Sequence, residues 1–64
     1  MVKINGIDQN AENMTLMEYL SQTNYNTARI AVEKNGEIVP KSQYGSTLLE
    51  DGDSIEIVSF VGGG

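Results

Sequence analysis

The chain carries two Asn-Gly dipeptides, Asn5-Gly6 and Asn35-Gly36, each set between short apolar runs. No other feature restricts the fold as strongly. A two-residue type I′ turn needs positive φ at both central positions, which Asn and Gly tolerate, and its twist matches that of the strands it joins. Each dipeptide therefore predicts a β-hairpin. The first spans Met1 to Gln9. Its register sets Ile4 opposite Ile7 and Lys3 opposite Asp8, a cross-strand pair of opposite charge worth roughly a few tenths of a kcal/mol. Val2 and Ile4 then line one face. The second hairpin lies in "RIAVEKNGEIVP". Ile30 and Val32 alternate, Ile38-Val39 form the return strand, and Pro40 stops it because proline has no N–H for the ladder. Lys34 and Glu37 flank this turn with opposite charge.

Between the hairpins, "NMTLMEYL" reads as a helix start. Thr15 and Glu18 have the spacing of a capping box, and Met14 with Tyr19 that of a hydrophobic staple. Leu16, Tyr19 and Leu20 fall at i, i+3 and i+4 and define a buried stripe, so a helix is expected over about 16–23. The polar "TNYNT" after it favours a loop. "KSQYGSTLL" has no sustained period and predicts a short helical turn near Ser42 to Tyr44 followed by an irregular link. "EDGD" makes a tight turn into the last strand, "SIEIVSFV". The order ββαββ with a final β predicts an α+β domain, a single sheet packed on one main helix, over residues 1–61, with 62–64 as a tail. Its expected core is Val2, Ile4, Leu16, Leu20, Ile30, Val32, Leu49, Ile55 and Ile57. With Ile55 and Ile57 inward, Glu56, Val58 and Phe60 point outward. Val58 and Phe60 then either form an apolar patch for a partner, or Phe60 covers the open end of the sheet.

Composition narrows the chemistry. A chain of 64 residues makes one domain and buries only about 60% of the surface its unfolded form exposes. It has no cysteine and no histidine, so it lacks disulfides, a thiolate metal site and the commonest general base. Ser, Thr and Tyr hydroxyls have nothing to activate them. Glu50, Asp51 and Asp53 lack the spacing of a calcium loop and read as a turn, so no metal is expected. The net charge is −5 and the four basic residues, Lys3, Arg29, Lys34 and Lys41, are scattered. That pattern speaks against a nucleic-acid partner, which requires a basic stripe. No apolar stretch approaches the roughly 20 residues of a membrane span, and no signal pattern opens the chain. A soluble cytoplasmic protein with no membrane partner is expected, not an enzyme, and with no cofactor bound.

The ending "FVGGG" is the one feature with no structural use. Gly62, Gly63 and Gly64 are not a phosphate loop, because no helix follows them. Glycine lets backbone approach another surface closely. An arm of about 10 Å could thread a narrow channel and present its carboxylate. At this point the chain resembles a known family. The early Asn-Gly turn, "TLMEYL", "NGEIVPKSQY", "LLEDGDSIEIV" and the terminal "FVGGG" are similar to those of the ThiS family, β-grasp (ubiquitin-like) sulfur carriers of thiamin thiazole biosynthesis. The resemblance implies that Gly64 is the modified residue and that Gly62, Gly63 and Gly64 are the tail that partners recognise. An E1-like adenylyltransferase (ThiF) would consume ATP to adenylate the Gly64 carboxylate. Sulfur supplied through a cysteine desulfurase would convert it to a thiocarboxylate, and thiazole synthase (ThiG) would receive that sulfur. A carrier for another pathway, such as molybdopterin or cysteine synthesis, and a ubiquitin-like modifier or plain binding module remain open alternatives.

Overall fold

The computed structural model describes residues Met1–Phe60; Val61–Gly64, and with them the expected boundary between a domain 1–61 and a tail 62–64, lie outside the described residues. The elements are β1 (Val2–Ile4), β2 (Ile7–Gln9), α1 (Leu16–Ser21), β3 (Ile30–Lys34), β4 (Glu37–Val39) and β5 (Ser54–Ser59). Both hairpins form as the dipeptides predict. Asn5 and Gly6 sit at φ 50° and 84°, Asn35 and Gly36 at 52° and 86°, the left-handed pair that a type I′ turn demands. The first hairpin has the expected register, Ile4 opposite Ile7 and Lys3 opposite Asp8. Lys34 and Glu37 likewise stand opposite each other beside the second turn, and Lys34 forms its ion pair across the sheet with Asp53 at 3.6 Å.

The two hairpins do not pair with each other; β5 lies between them. The five strands lie in the order β2-β1-β5-β3-β4. β5 runs parallel to β1, Ile4 beside Ile55, and antiparallel to β3, Ile30 beside Ser59 through Lys34 beside Ile55. A mixed five-stranded sheet with one short helix against it is the α+β, β-grasp architecture.

The helix is shorter than its periodicity suggests. Gln22 and Thr23 donate to the carbonyls of Tyr19 and Leu20 at 3.0 and 3.1 Å, an i→i+3 pattern that tightens the last turn and ends the α-helix at Ser21. Its start is fully accounted for. The Glu18 N–H donates to Thr15 Oγ1 at 3.1 Å, and the Thr15 N–H donates to Glu18 Oε1 at 2.8 Å, completing the capping box. The first two helical N–H groups, of Leu16 and Met17, donate to the carbonyls of Thr47 and Tyr44 at 2.8 and 2.9 Å. The irregular link after the second hairpin therefore does a definite job: its backbone satisfies the helix start. The region 22–29 also holds a 3₁₀ turn, Thr27–Arg29, capped by Asn26, where the sequence suggests only loop. The expected turn after Pro40 is present over Lys41–Gln43.

All nine expected core residues are buried, and Ala11, Val39 and Tyr44 join them. Among the described residues Tyr44 is the largest fully buried side chain, and its burial pushes the phenol above its ordinary pKa. Tyr19 is a correction in the other direction. It packs against the core edge half-buried, because so short a helix covers only part of the sheet. Among the described residues no helix is long and apolar enough to cross a membrane.

Candidate functional site

The candidate site is the end of β5, from which the chain leaves towards its glycines. Because β5 is central, its two backbone edges are held by different elements. On the β3 side, Asn35 N–H donates to Ser54 O at 2.8 Å and Phe60 N–H to Arg29 O at 2.7 Å. On the β1 side, Lys3 N–H donates to Asp53 O and Asn5 N–H to Ile55 O, both at 2.9 Å. β1 ends there, at the Asn5-Gly6 turn. The Asn5 side chain then supplies one more rung: Ile57 N–H donates to its Oδ1 at 2.7 Å, and its Nδ2 donates to Ile57 O at 3.1 Å. The same Nδ2 reaches the Tyr25 hydroxyl at 3.4 Å. One asparagine thus makes the turn and, with a side-chain amide in place of backbone, holds the strand that leads to the tail. Sequence reasoning assigns Asn5 to the turn alone; its φ was legible, but its partner 52 residues away was not.

The start of β5 is held as firmly. Asp53 N–H donates to Glu50 O at 3.0 Å, and Gly52 takes φ 89°, the pattern of a type II turn. The Asp53 carboxylate accepts from Glu50 N–H at 2.9 Å and from Asn35 Nδ2 at 3.0 Å, while Asn35 Oδ1 accepts from Ser54 N–H at 2.9 Å. Partial burial pushes this carboxyl up, but the bonds from Asn35 and Glu50 and the nearby Lys34 charge outweigh it and hold its pKa below the usual value. Glu50, Asp51 and Asp53 are therefore used by the turn, and Asp51 also pairs with the N-terminal ammonium. Among the described residues no cluster of three or more His, Cys, Asp or Glu side chains is placed to hold a metal.

The two faces of β5 separate as alternation requires. Ile55 and Ile57 are buried, while Val58 and Phe60 are 55% and 57% exposed. The expected tail residues Gly62, Gly63 and Gly64 lie outside the described residues.

The model of the ThiS family matches residues 2–64. The chain belongs to the ThiS family. Its match spans the whole β-grasp domain and continues through the glycines. A sulfur carrier protein ThiS of Bacillus subtilis is 38% identical, with all of both chains covered. The crystal structure of a thiamine biosynthesis protein (ThiS) from Geobacter metallireducens superposes with a TM-score of 0.79 at 31% identity, over 98% of this chain and 97% of that one. A thiazole synthase of Paramagnetospirillum magneticum is 45% identical over 95% of this chain. The chain spans only 19–20% of the length of the thiazole synthases it matches, so the likeness covers about a fifth of each of those proteins.

Proposed function

We propose that the chain is the sulfur carrier of thiamin thiazole synthesis, a protein substrate and not itself a catalyst. The observation that carries this reading is the family match over residues 2–64, which runs through the terminal glycines. A free carboxylate is a poor electrophile until one oxygen becomes a leaving group. The Gly64 carboxylate oxygen attacks the α-phosphorus of ATP in an E1-like adenylyltransferase, pyrophosphate leaves, and an acyl-adenylate forms. The terminal sulfur of a protein persulfide, charged by a cysteine desulfurase, then displaces AMP. A thiol cleaves the resulting S–S bond, taking one sulfur into a disulfide and leaving the thiocarboxylate on Gly64. Thiazole synthase accepts that sulfur. The relatives named thiazole synthase, which contain a stretch like this chain, support that last partner.

In this scheme the acid–base and nucleotide chemistry belongs to the partners, in keeping with a chain that has neither His nor Cys. Its own contributions are a rigid base and a narrow arm. β5 is held on both edges as far as Ile57, and Val58 and Phe60 offer apolar contact beside the arm's root. Orienting the acid beside ATP is worth much of the rate, and a side chain on the arm would obstruct the channel. Gly63→Val is expected to abolish ATP–pyrophosphate exchange with the adenylating enzyme, and sulfur loading read by intact mass, with no change in Tm. Wild-type loading by Gly63→Val would refute a sterically read tail. An isopeptide adduct on the chain purified from cells would make it a modifier instead.

A further inference from the structure

The outer face of the sheet holds an arrangement that folding alone does not explain. β3 and β5 pair so that Glu33 stands directly opposite Glu56. The backbone bonds joining Asn35 to Ser54 and Arg29 to Phe60 lie an even number of residues away, so Glu33 and Glu56 belong to the same hydrogen-bonded set. Such residues have Cα atoms about 5.5 Å apart with side chains on one face. Like charges in that position destabilise a sheet. The ion pairs among the described residues join Met1 to Glu12 and Asp51, and Lys34 to Asp53, so neither Glu33 nor Glu56 has a cation of its own. Apolar side chains flank them on the same face. Ile38 lies opposite Glu33 on β4 and is 65% exposed, and Val58 follows Glu56 one step along β5, 55% exposed.

We propose that Glu33 and Glu56 together receive a guanidinium from the protein that adenylates Gly64, with Ile38, Val58 and Phe60 making the apolar contact around it. The inference rests on the carrier reading above and specifies how that partner recognises the sheet. Charge complementarity selects the occupant. Two carboxylates side by side on a rigid sheet suit a planar fork that can donate to both, which an ammonium does less well. Desolvation by the flanking apolar groups strengthens the pairing once the face is covered. A second copy of this chain is a poor occupant, since a two-fold contact sets the same patch against itself and would bring four carboxylates together. A divalent cation finds only two ligands here.

The test is the double variant Glu33→Gln/Glu56→Gln, assayed in ATP–pyrophosphate exchange with the adenylating enzyme of the same organism. Relief of the like-charge pair leaves Tm equal to wild type or higher. The KM for the chain rises about tenfold, as expected for losing a charge-assisted contact, while kcat stays near wild type. The dependence of KM on salt flattens in the variant. An unchanged KM, or a raised KM whose salt dependence matches wild type, overturns the guanidinium contact and leaves the carrier reading intact. A wild-type dimer in solution that the double variant dissociates would assign the face to a second copy and also overturn it. No exchange with wild-type chain would bring down the carrier reading and this inference together.

Discussion

The two faces of β5 are made by one strand, and they obey opposite rules. Inward, Ile55 and Ile57 are all but removed from water among residues from every part of the chain. Outward, Glu56 and Val58 stay wet, a carboxylate faces a carboxylate, and an aromatic ring lies open beside them. The inner face is chosen for stability, since burial of each aliphatic side chain contributes about 1.5–3 kcal/mol. The outer face gives stability away. A chain this small has little to give, with a total of about 3–10 kcal/mol at 0.05–0.15 kcal/mol per residue. A contact that weakens the free protein is therefore best understood through what it does when covered.

The contrast can be broken most directly from inside. Ile57→Ala is expected to cost about 2–5 kcal/mol, a large share of that total, and to lower Tm by at least about 8 °C. A calorimetric Tm within a few degrees of wild type would mean that the inner face of β5 does not carry the fold. A smaller effect is expected at the root of the strand. Asp53 has a depressed pKa in the folded protein, so its contribution is present at neutral pH and is lost as pH falls below the ordinary carboxylate range, through the folded value. Asp53→Asn should lower stability at pH 7 and show a shallower further loss on acidification. Parallel acid limbs for variant and wild type would show that the charge on Asp53 is not what holds the turn. The smallest effect on folding is expected outside. Phe60→Ala should leave stability within about 0.5 kcal/mol of wild type, the usual range for surface changes, yet weaken association with the adenylating enzyme. A large loss of Tm with unchanged association would move Phe60 to the inner face's account and erase the distinction between the two.

Parts of this site were legible in the residues. Alternation along "SIEIVSF" was enough to turn Ile55 and Ile57 in and Val58 and Phe60 out, because a strand has a period of two wherever it pairs. The partner of each outward residue was not legible. Glu33 and Glu56 become neighbours only through the register between β3 and β5, and a shift of one residue would have placed Glu56 beside a different side chain. Asn5 is similar. Its positive φ is a local preference of Asn-Gly, while its second role depends on β1 stopping one rung before Ile57.

The sequence by itself determined the two hairpins, the capping box at Thr15 and Glu18, the nine aliphatic core positions and the outward side of the last strand. Each rests on interactions within a few residues, on turn sterics, on the helix's free N–H groups, or on the burial of an apolar periodicity. Tertiary structure alone decided that β5 lies between the hairpins and parallel to β1, that Tyr44 fills the core from a link with no period, that Thr47 and Tyr44 carbonyls finish the helix start, and that Asp53 binds the second hairpin's turn through Asn35. These are contacts across tens of residues, which leave no local periodicity because either partner alone is an ordinary polar or aromatic residue. Their choice among alternatives comes from closing one small core, where a single arrangement of the sheet buries the aliphatic set and still satisfies the backbone around it.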